Sequence, residues 1–176
     1  MNSIYNVTDY NVSTVYNKND IINFTGTFNG MTIVGGYLYC ITDGTTGAFD
    51  STKWIGYISD NGDIKPYFTW TPSYQSTVNN TPKVRLLKFG DSYESRTPDG
   101  INNSLLSYEL KFDLLEINEM TAILHFLTVR YGVKSFVWFG REPYIKQLRF
   151  VARDWNDVEN FSNNYSLSVK FDQVVN

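Results

Sequence analysis

Leu106-Ser107-Tyr108-Glu109-Leu110-Lys111-Phe112-Asp113-Leu114 is the stretch whose reading decides the fold class. Leu106, Tyr108, Leu110, Phe112 and Leu114 alternate with Ser107, Glu109, Lys111 and Asp113. Successive strand side chains point to opposite faces, so this pattern predicts a half-buried antiparallel strand. The same alternation closes the chain, with Tyr165, Leu167, Val169 and Phe171 set against Ser166, Ser168 and Lys170. Residues 84–89, 135–139 and 146–152 are further strand candidates.

One helix is predicted between the strand at 106–114 and Ser135. Asn118 is its expected N-cap, and Glu119 suits the positive end of the helix dipole. Met120, Ile123, Leu124, Leu127 and Tyr131 recur at helical spacing. Arg130 falls in the last turn, and Gly132 is the expected stop. Strands, one helix, then strands place the helix against one face of an antiparallel sheet or barrel. The expected fold is mainly β, an antiparallel β-sandwich or barrel with one flanking α-helix, plus a small N-terminal all-β module.

That N-terminal module is read from short strand candidates at 20–24, 36–42 and 54–58, with turns at Gly26, Gly30, Gly35, Gly44 and Gly47. Charge supports a division. Through Lys65 the chain carries three lysines against six aspartates, whereas the remainder is balanced and Glu94 is the first glutamate. The join is placed at the turn signal Asp60-Asn61-Gly62-Asp63, giving modules 1–62 and 63–176. Residues 71–82 are polar and proline-marked, and read as a loop.

Composition narrows the function classes. A net charge of −3 argues against electrostatic binding of nucleic acid. Aromatic residues make up 16% of the chain, and large rings suit strands and interfaces. Cys40 is the single cysteine, which excludes an intrachain disulfide and a multi-cysteine metal site. Met1-Asn2-Ser3-Ile4 lacks a basic start and no apolar run follows, so neither a signal peptide nor a membrane span is expected. Synthesis in a cytoplasm follows as an expectation. His125, the only histidine, sits off the apolar helix stripe and reads as a solvent-facing or interface side chain. No P-loop, G-x-G-x-x-G or G-x-S-x-G occurs. No enzyme activity, metal or cofactor is expected.

A resemblance enters at Lys88-Phe89-Gly90-Asp91-Ser92-Tyr93-Glu94-Ser95-Arg96, followed by Gly100-Ile101-Asn102. The stretch opens with Phe68-Thr69-Trp70-Thr71-Pro72. After the long strand and helix come Lys134-Ser135-Phe136-Val137-Trp138, and Phe171-Asp172-Gln173-Val174-Val175-Asn176 closes it. In this order, residues 66–176 resemble the lambda-type minor tail proteins of phages. Ser92 stands where the family usually has glycine, and Phe139-Gly140-Arg141 where it often has Thr-Pro-Pro.

The resemblance implies a fold similar to the tail-tube β-sandwich and a place in the virion tail, as a ring between tail tube and distal hub. It implies as partners further copies of the chain, with sixfold symmetry carried over from the tube, and the tail-tube, tape-measure and hub proteins. Specific nucleic-acid binding and membrane insertion are not implied. Within 90–101 and its flanks, Phe89, Gly90, Asp91, Tyr93, Arg96, Gly100, Ile101 and Asn102 are candidates for a subunit contact arm. The other reading of these residues is an ordinary exposed loop.

Residues 5–58 are similar to small chitin-binding-type carbohydrate modules, through Val12–Ile22 of the strand pattern, Tyr37-Leu38-Tyr39-Cys40 and Trp54. This makes Tyr16, Tyr37, Tyr39, Trp54 and Tyr57 candidates for a glycan platform, since flat exposed rings stack on pyranose faces. In so small a module the same rings also serve as core. Two functions therefore stand. One is a structural tail-tip ring subunit with its first module as decoration on the outer rim. The other is an adhesion protein that binds a host surface glycan and is anchored to the tail by its second module.

Overall fold

The computed structural model describes residues 4–175. Met1-Asn2-Ser3 of the N-terminal reading and Asn176 of the closing motif lie outside the described residues. Among the described residues, twelve strands and one α-helix follow in chain order: β1 (Ile21–Phe28), β2 (Met31–Cys40), β3 (Trp54–Ile55), β4 (Tyr57–Asp60), β5 (Asp63–Pro66), β6 (Thr77–Asn80), β7 (Val84–Lys88), β8 (Glu94–Pro98), β9 (Leu106–Leu115), α1 (Ile117–Thr128), β10 (Phe136–Phe139), β11 (Gln147–Phe161) and β12 (Asn164–Gln173). A 3-10 turn, Ser51–Lys53, precedes β3.

The alternating stretch is β9. It lies in a five-stranded antiparallel sheet of order β10-β11-β12-β9-β6. Tyr108, Leu110 and Phe112 of β9 and Leu167, Val169 and Phe171 of β12 are buried on one face. Alternation fails at the end of β9, where Leu114 is exposed and Leu115 is buried. A register irregularity between Tyr165 and Leu167 accounts for this, because an extra residue on β9 reverses which side chain faces inward. The stretch 71–82 is not all loop, since Thr77–Asn80 pairs with β9 as an edge strand.

Helix α1 covers the buried face of the sheet through Met120, Ala122, Ile123, Phe126 and Leu127. Its start differs from expectation. Glu116 holds the N-cap position without a side-chain bond, and Asn118 lies inside the first turn. The amide of Ile117 donates instead to Oδ1 of Asn163, in the β11–β12 turn, at 3.1 Å. A residue distant in sequence therefore satisfies one of the helix's unpaired amides. Tyr131 lies beyond the C-cap Val129 and is exposed, so helical spacing no longer governs it. Gly132 has φ 65°, the left-handed conformation of a helix stop.

Aromatic rings fill the space between helix and sheet. Phe68 has no exposed surface and contacts Trp70, Phe112, Phe126, Phe136 and Phe171, mostly edge to face. Its backbone amide donates to the Val137 carbonyl at 2.9 Å, so the chain after β5 runs along the β10 edge.

The first module is a three-stranded sheet of order β1-β2-β3. One of its faces builds a second, smaller core from Ile22, Leu38, Cys40, Tyr16, Phe28, Ile33 and Trp54. By the period of two, Ile21 and Tyr39 fall on the opposite face, and both belong to the large core with the helix. The Asp60-Asn61-Gly62-Asp63 turn is a tight hairpin, Asn61 and Gly62 both having positive φ, that pairs β4 with β5. Asp60 accepts from Arg149 Nε and from Gln147 Nε2, which fastens this hairpin to β11.

His125 is a correction to the sequence reading, because it is buried at the module contact. The Tyr39 hydroxyl lies 3.1 Å from its Nδ1, and the Tyr37 ring packs edge-on at 4.5 Å. Burial pushes the Tyr39 pKa up, so its phenol keeps the proton and donates to an unprotonated ring nitrogen. Burial, then the charge of Arg130, lowers the His125 pKa from 6.5 to about 4. Below pH 6.5 the unfolded chain binds a proton that the folded chain refuses. The contribution of neutral His125 is thus complete above that pH and declines as pH falls toward about 4, by up to about 3 kcal/mol. The stability difference between the wild type and His125→Gln is expected to shrink as pH falls from neutral to this range. Urea unfolding of both proteins across that range checks it, and a pH-independent difference excludes the linkage.

Candidate functional site

The arm candidates lie on a two-stranded hairpin. Strands β7 and β8 pair from Val84 opposite Pro98 to Lys88 opposite Glu94, and neither pairs with another strand among the described residues. Leu86 and Leu87 are adjacent, so they point to opposite faces, and both are exposed. Val84, Phe89, Tyr93 and Ile101 add further exposed apolar surface, Ile101 fully. A free two-stranded hairpin is marginal in water, and one with apolar side chains on both faces is better suited to contact than to solvent.

Local bonds hold the arm in shape. At the tip, the Phe89 amide donates to the Tyr93 carbonyl at 2.8 Å, and the two rings lie 5.7 Å apart. Asp91 and Ser92 take positive φ, 59° and 62°. Ser92 thus occupies a left-handed conformation that favours glycine, with the associated backbone strain. Gly90 precedes this turn with open space around it. Arg96 pairs with Glu94 across one residue of β8. At the base, the Lys83 amide donates to the Asn103 carbonyl at 2.7 Å and the Asp99 amide to the Lys83 carbonyl at 3.0 Å. Gly100, at φ 86°, begins the exposed turn through Ile101 and Asn102 that leads back to β9. All eight candidates therefore fall on this arm or the turn that closes it. Sequence reading took 84–89 for an ordinary strand and did not single out Leu86 and Leu87.

The five candidate glycan residues do not form a common open surface. Tyr16 and Trp54 are buried together with their rings 5.3 Å apart, and Tyr10 stacks on Tyr16. Tyr39 is buried against Trp70 and Phe126, while half-buried Tyr37 faces His125. Half-buried Tyr57 packs on the smaller core, its hydroxyl accepting from the Tyr37 amide at 3.4 Å. A sugar stacks on an exposed ring face, and these rings are divided between two cores. The physical reason is size, since a three-stranded sheet has few other large side chains to bury.

No His, Cys, Asp and Glu group that could hold a metal ion occurs among the described residues. No described helix is long and apolar enough to cross a membrane.

Known proteins resemble the part of the chain that carries the arm and the five-stranded sheet. The phage minor tail protein family matches residues 66–175. Tail tip protein M of Escherichia phage lambda is 32% identical over 110 residues, covering 62% of this chain and 97% of that protein. Tail tip protein M of Escherichia phage N15 is 35% identical over 75 residues, covering 40% of this chain and 62% of that protein. Residues 1–65 lie outside the family match. With the match spanning the whole sheet, its helix and the projecting hairpin, the chain belongs to the phage minor tail protein family.

Proposed function

We propose that the protein is a structural subunit of a phage tail tip, closing with further copies into a ring between the tail tube and the distal hub. The arm formed by β7 and β8 carries the proposal. It exposes Leu86 and Leu87 on opposite faces and pairs with no other strand among the described residues. Identical subunits that each present an arm to a different surface on the next make a heterologous contact, which closes into a ring when the rotation permits. Sixfold closure, matching a sixfold tube, is the expected copy number. The tube, tape-measure and hub proteins are the neighbours in this reading, and no catalytic step is assigned.

Residues 1–62 are placed on the outer rim in the same reading. A ring at this place must leave a lumen, so an added layer in every copy belongs outside it. The family match begins beyond these residues, which supports their being an addition to the ring-forming part.

Light scattering and negative-stain images of the purified protein, alone and with tail-tube protein, test the proposal. Closed rings are expected, and the double variant Leu86→Asp, Leu87→Asp should lower the assembled fraction about tenfold or more without moving the unfolding midpoint. A monodisperse monomer that never enters virions overturns it.

A further inference from the structure

We propose that the arm of one copy docks on the opposite end of the five-stranded sheet of the next copy, at the surface formed by Leu114, Ile117, Val158 and Phe161. This rests on the ring reading above and specifies which surface receives the arm.

Topology separates the two surfaces. Strand β6 pairs with β9 from Thr77 opposite Glu109 to Asn80 opposite Leu106, so it runs toward the Leu106 end. Strand β7 begins four residues after Asn80, and the arm leaves the sheet at that end. Strand β12 pairs with β9 from Tyr165 opposite Leu115 to Asp172 opposite Ser107. The β11–β12 tip and the start of α1 therefore lie at the Leu115 end. A ten-residue strand puts about 30 Å between its ends. The five-residue strands of the arm span only about 17 Å, less than that separation, so no arm meets the tip of its own chain. Contact between these surfaces needs two molecules.

Apolar surface and charge match across that distance. At the Leu115 end, Leu114 is 76% exposed and Phe161 66%, and Val158 and Ile117 join them at the surface. Leu114 is held outward by positive φ. Next to these side chains along the chain lie Asp113, Glu116, Asp157 and Glu159, with no lysine or arginine in residues 113–117 or 157–161. None of these four carboxylates forms an ion pair among the described residues. The β7 side of the arm has the opposite character, while the acids Asp91, Glu94 and Asp99 lie on its tip, on β8 and just beyond β8. Lys83-Val84-Arg85-Leu86-Leu87-Lys88 intersperses three cations with three apolar side chains and has no acid. Lys83 and Lys88 form no ion pair among the described residues, and Arg85 meets only exposed Asp99, at 3.8 Å. An apolar centre with a charged rim of opposite sign on each partner is the composition of a specific protein interface, and the charges fix its orientation. A second copy supplies both halves, which is why it is chosen over a partner of another sequence.

Paired cysteines and charge reversal test the inference in the full-length protein. Leu86→Cys together with Phe161→Cys should yield a ladder of disulfide-linked oligomers under mild oxidation, and either variant alone should not. Native Cys40 is buried, which keeps the background low. Lys83→Glu with Lys88→Glu should lower the assembled fraction about tenfold, and adding Glu116→Lys with Asp157→Lys should restore it. Raised salt should weaken wild-type assembly. Rings that form normally in Phe161→Asp and show no ladder in the cysteine pair overturn this docking site while leaving the ring reading in place. A wild-type protein that stays monomeric with and without tail-tube protein removes both. Unfolding midpoints of all variants are measured in parallel, and a ladder with an unchanged midpoint supports the contact.

Discussion

Removal of residues 1–62 is expected to leave a remainder that does not fold cooperatively, although the family match begins beyond them. Three observations carry this expectation. Tyr39 and Ile21 are buried in the same core as α1 and the five-stranded sheet, so their loss uncovers Trp70, Ile123 and Phe126. His125 and Arg130, both buried, would meet water on the side where Tyr37 and Tyr39 now lie. Deletion also removes Asp60 and leaves the guanidinium of Arg149, largely enclosed, without its main partner. Stripping one side of a buried pair is destabilising by several kcal/mol on its own, about 3–5 in typical cases. Tyr39→Ala samples the same contact in the whole chain and should cost about 3–5 kcal/mol, in the range for a buried aromatic ring. Tail tip protein M of phage lambda is covered to 97% by the matched segment, so a protein of this family stands there without such a layer. In this chain the helix surface beneath the layer is built of buried aromatic and aliphatic side chains, which is why the same economy is not expected. Amide exchange and a thermal melt of the truncated protein decide the matter. A sharp transition at the parent's temperature would show that the layer is dispensable to the fold.

Trp138→Ala should destabilise the protein by about 3–5 kcal/mol. The indole is 4% exposed and meets Tyr108 at 5.0 Å and Phe150 and Phe171 at 5.5 Å, each approach edge to face. Those three rings come from β9, β11 and β12, so one side chain ties together three of the sheet's strands. Neighbouring Val137 is buried on the other face beside the Tyr67 bridge, which leaves the backbone little room to shift into the cavity. At this chain length the loss corresponds to a fall of roughly 10 °C in Tm. Phe139→Ala, one residue further at the exposed strand end, should cost much less. Thermal melts of the two variants side by side give the contrast, and equal shifts would contradict the burial assigned to Trp138.

Much of the fold was legible before any coordinates. Alternation at 106–114 and 165–171 identified two inner strands, because each repeats the period of a pleated strand, and the run at 135–139, apolar at every position from Phe136 to Phe139, identified β10. The helix was legible in Met120, Ile123 and Leu127, yet Tyr131 was assigned to its face because spacing does not show where a helix ends. Edge strand β6 was hidden within a polar, proline-marked segment, since Thr77, Val78, Asn79 and Asn80 carry no clear alternation. Of the arm, its tip and closing turn were legible through the family resemblance. Leu86 and Leu87 were not, because consecutive apolar residues read equally as a buried strand.

By itself the sequence determined the mainly β class, the single helix, the turn at Asn61-Gly62 and the membership of residues 66–175 in a tail protein family. These rest on local periods, turn chemistry and ordered motifs, each of which is written along the chain. Only the tertiary structure decided that His125 is buried beneath Tyr39, that Asn163 caps the helix, that the aromatic rings of the first module are divided between two cores, and that β7 and β8 stand free of the sheet. Periodicity states which side chains share a face. What covers that face is settled by segments far apart in sequence, through the close packing of large rings that no local pattern specifies.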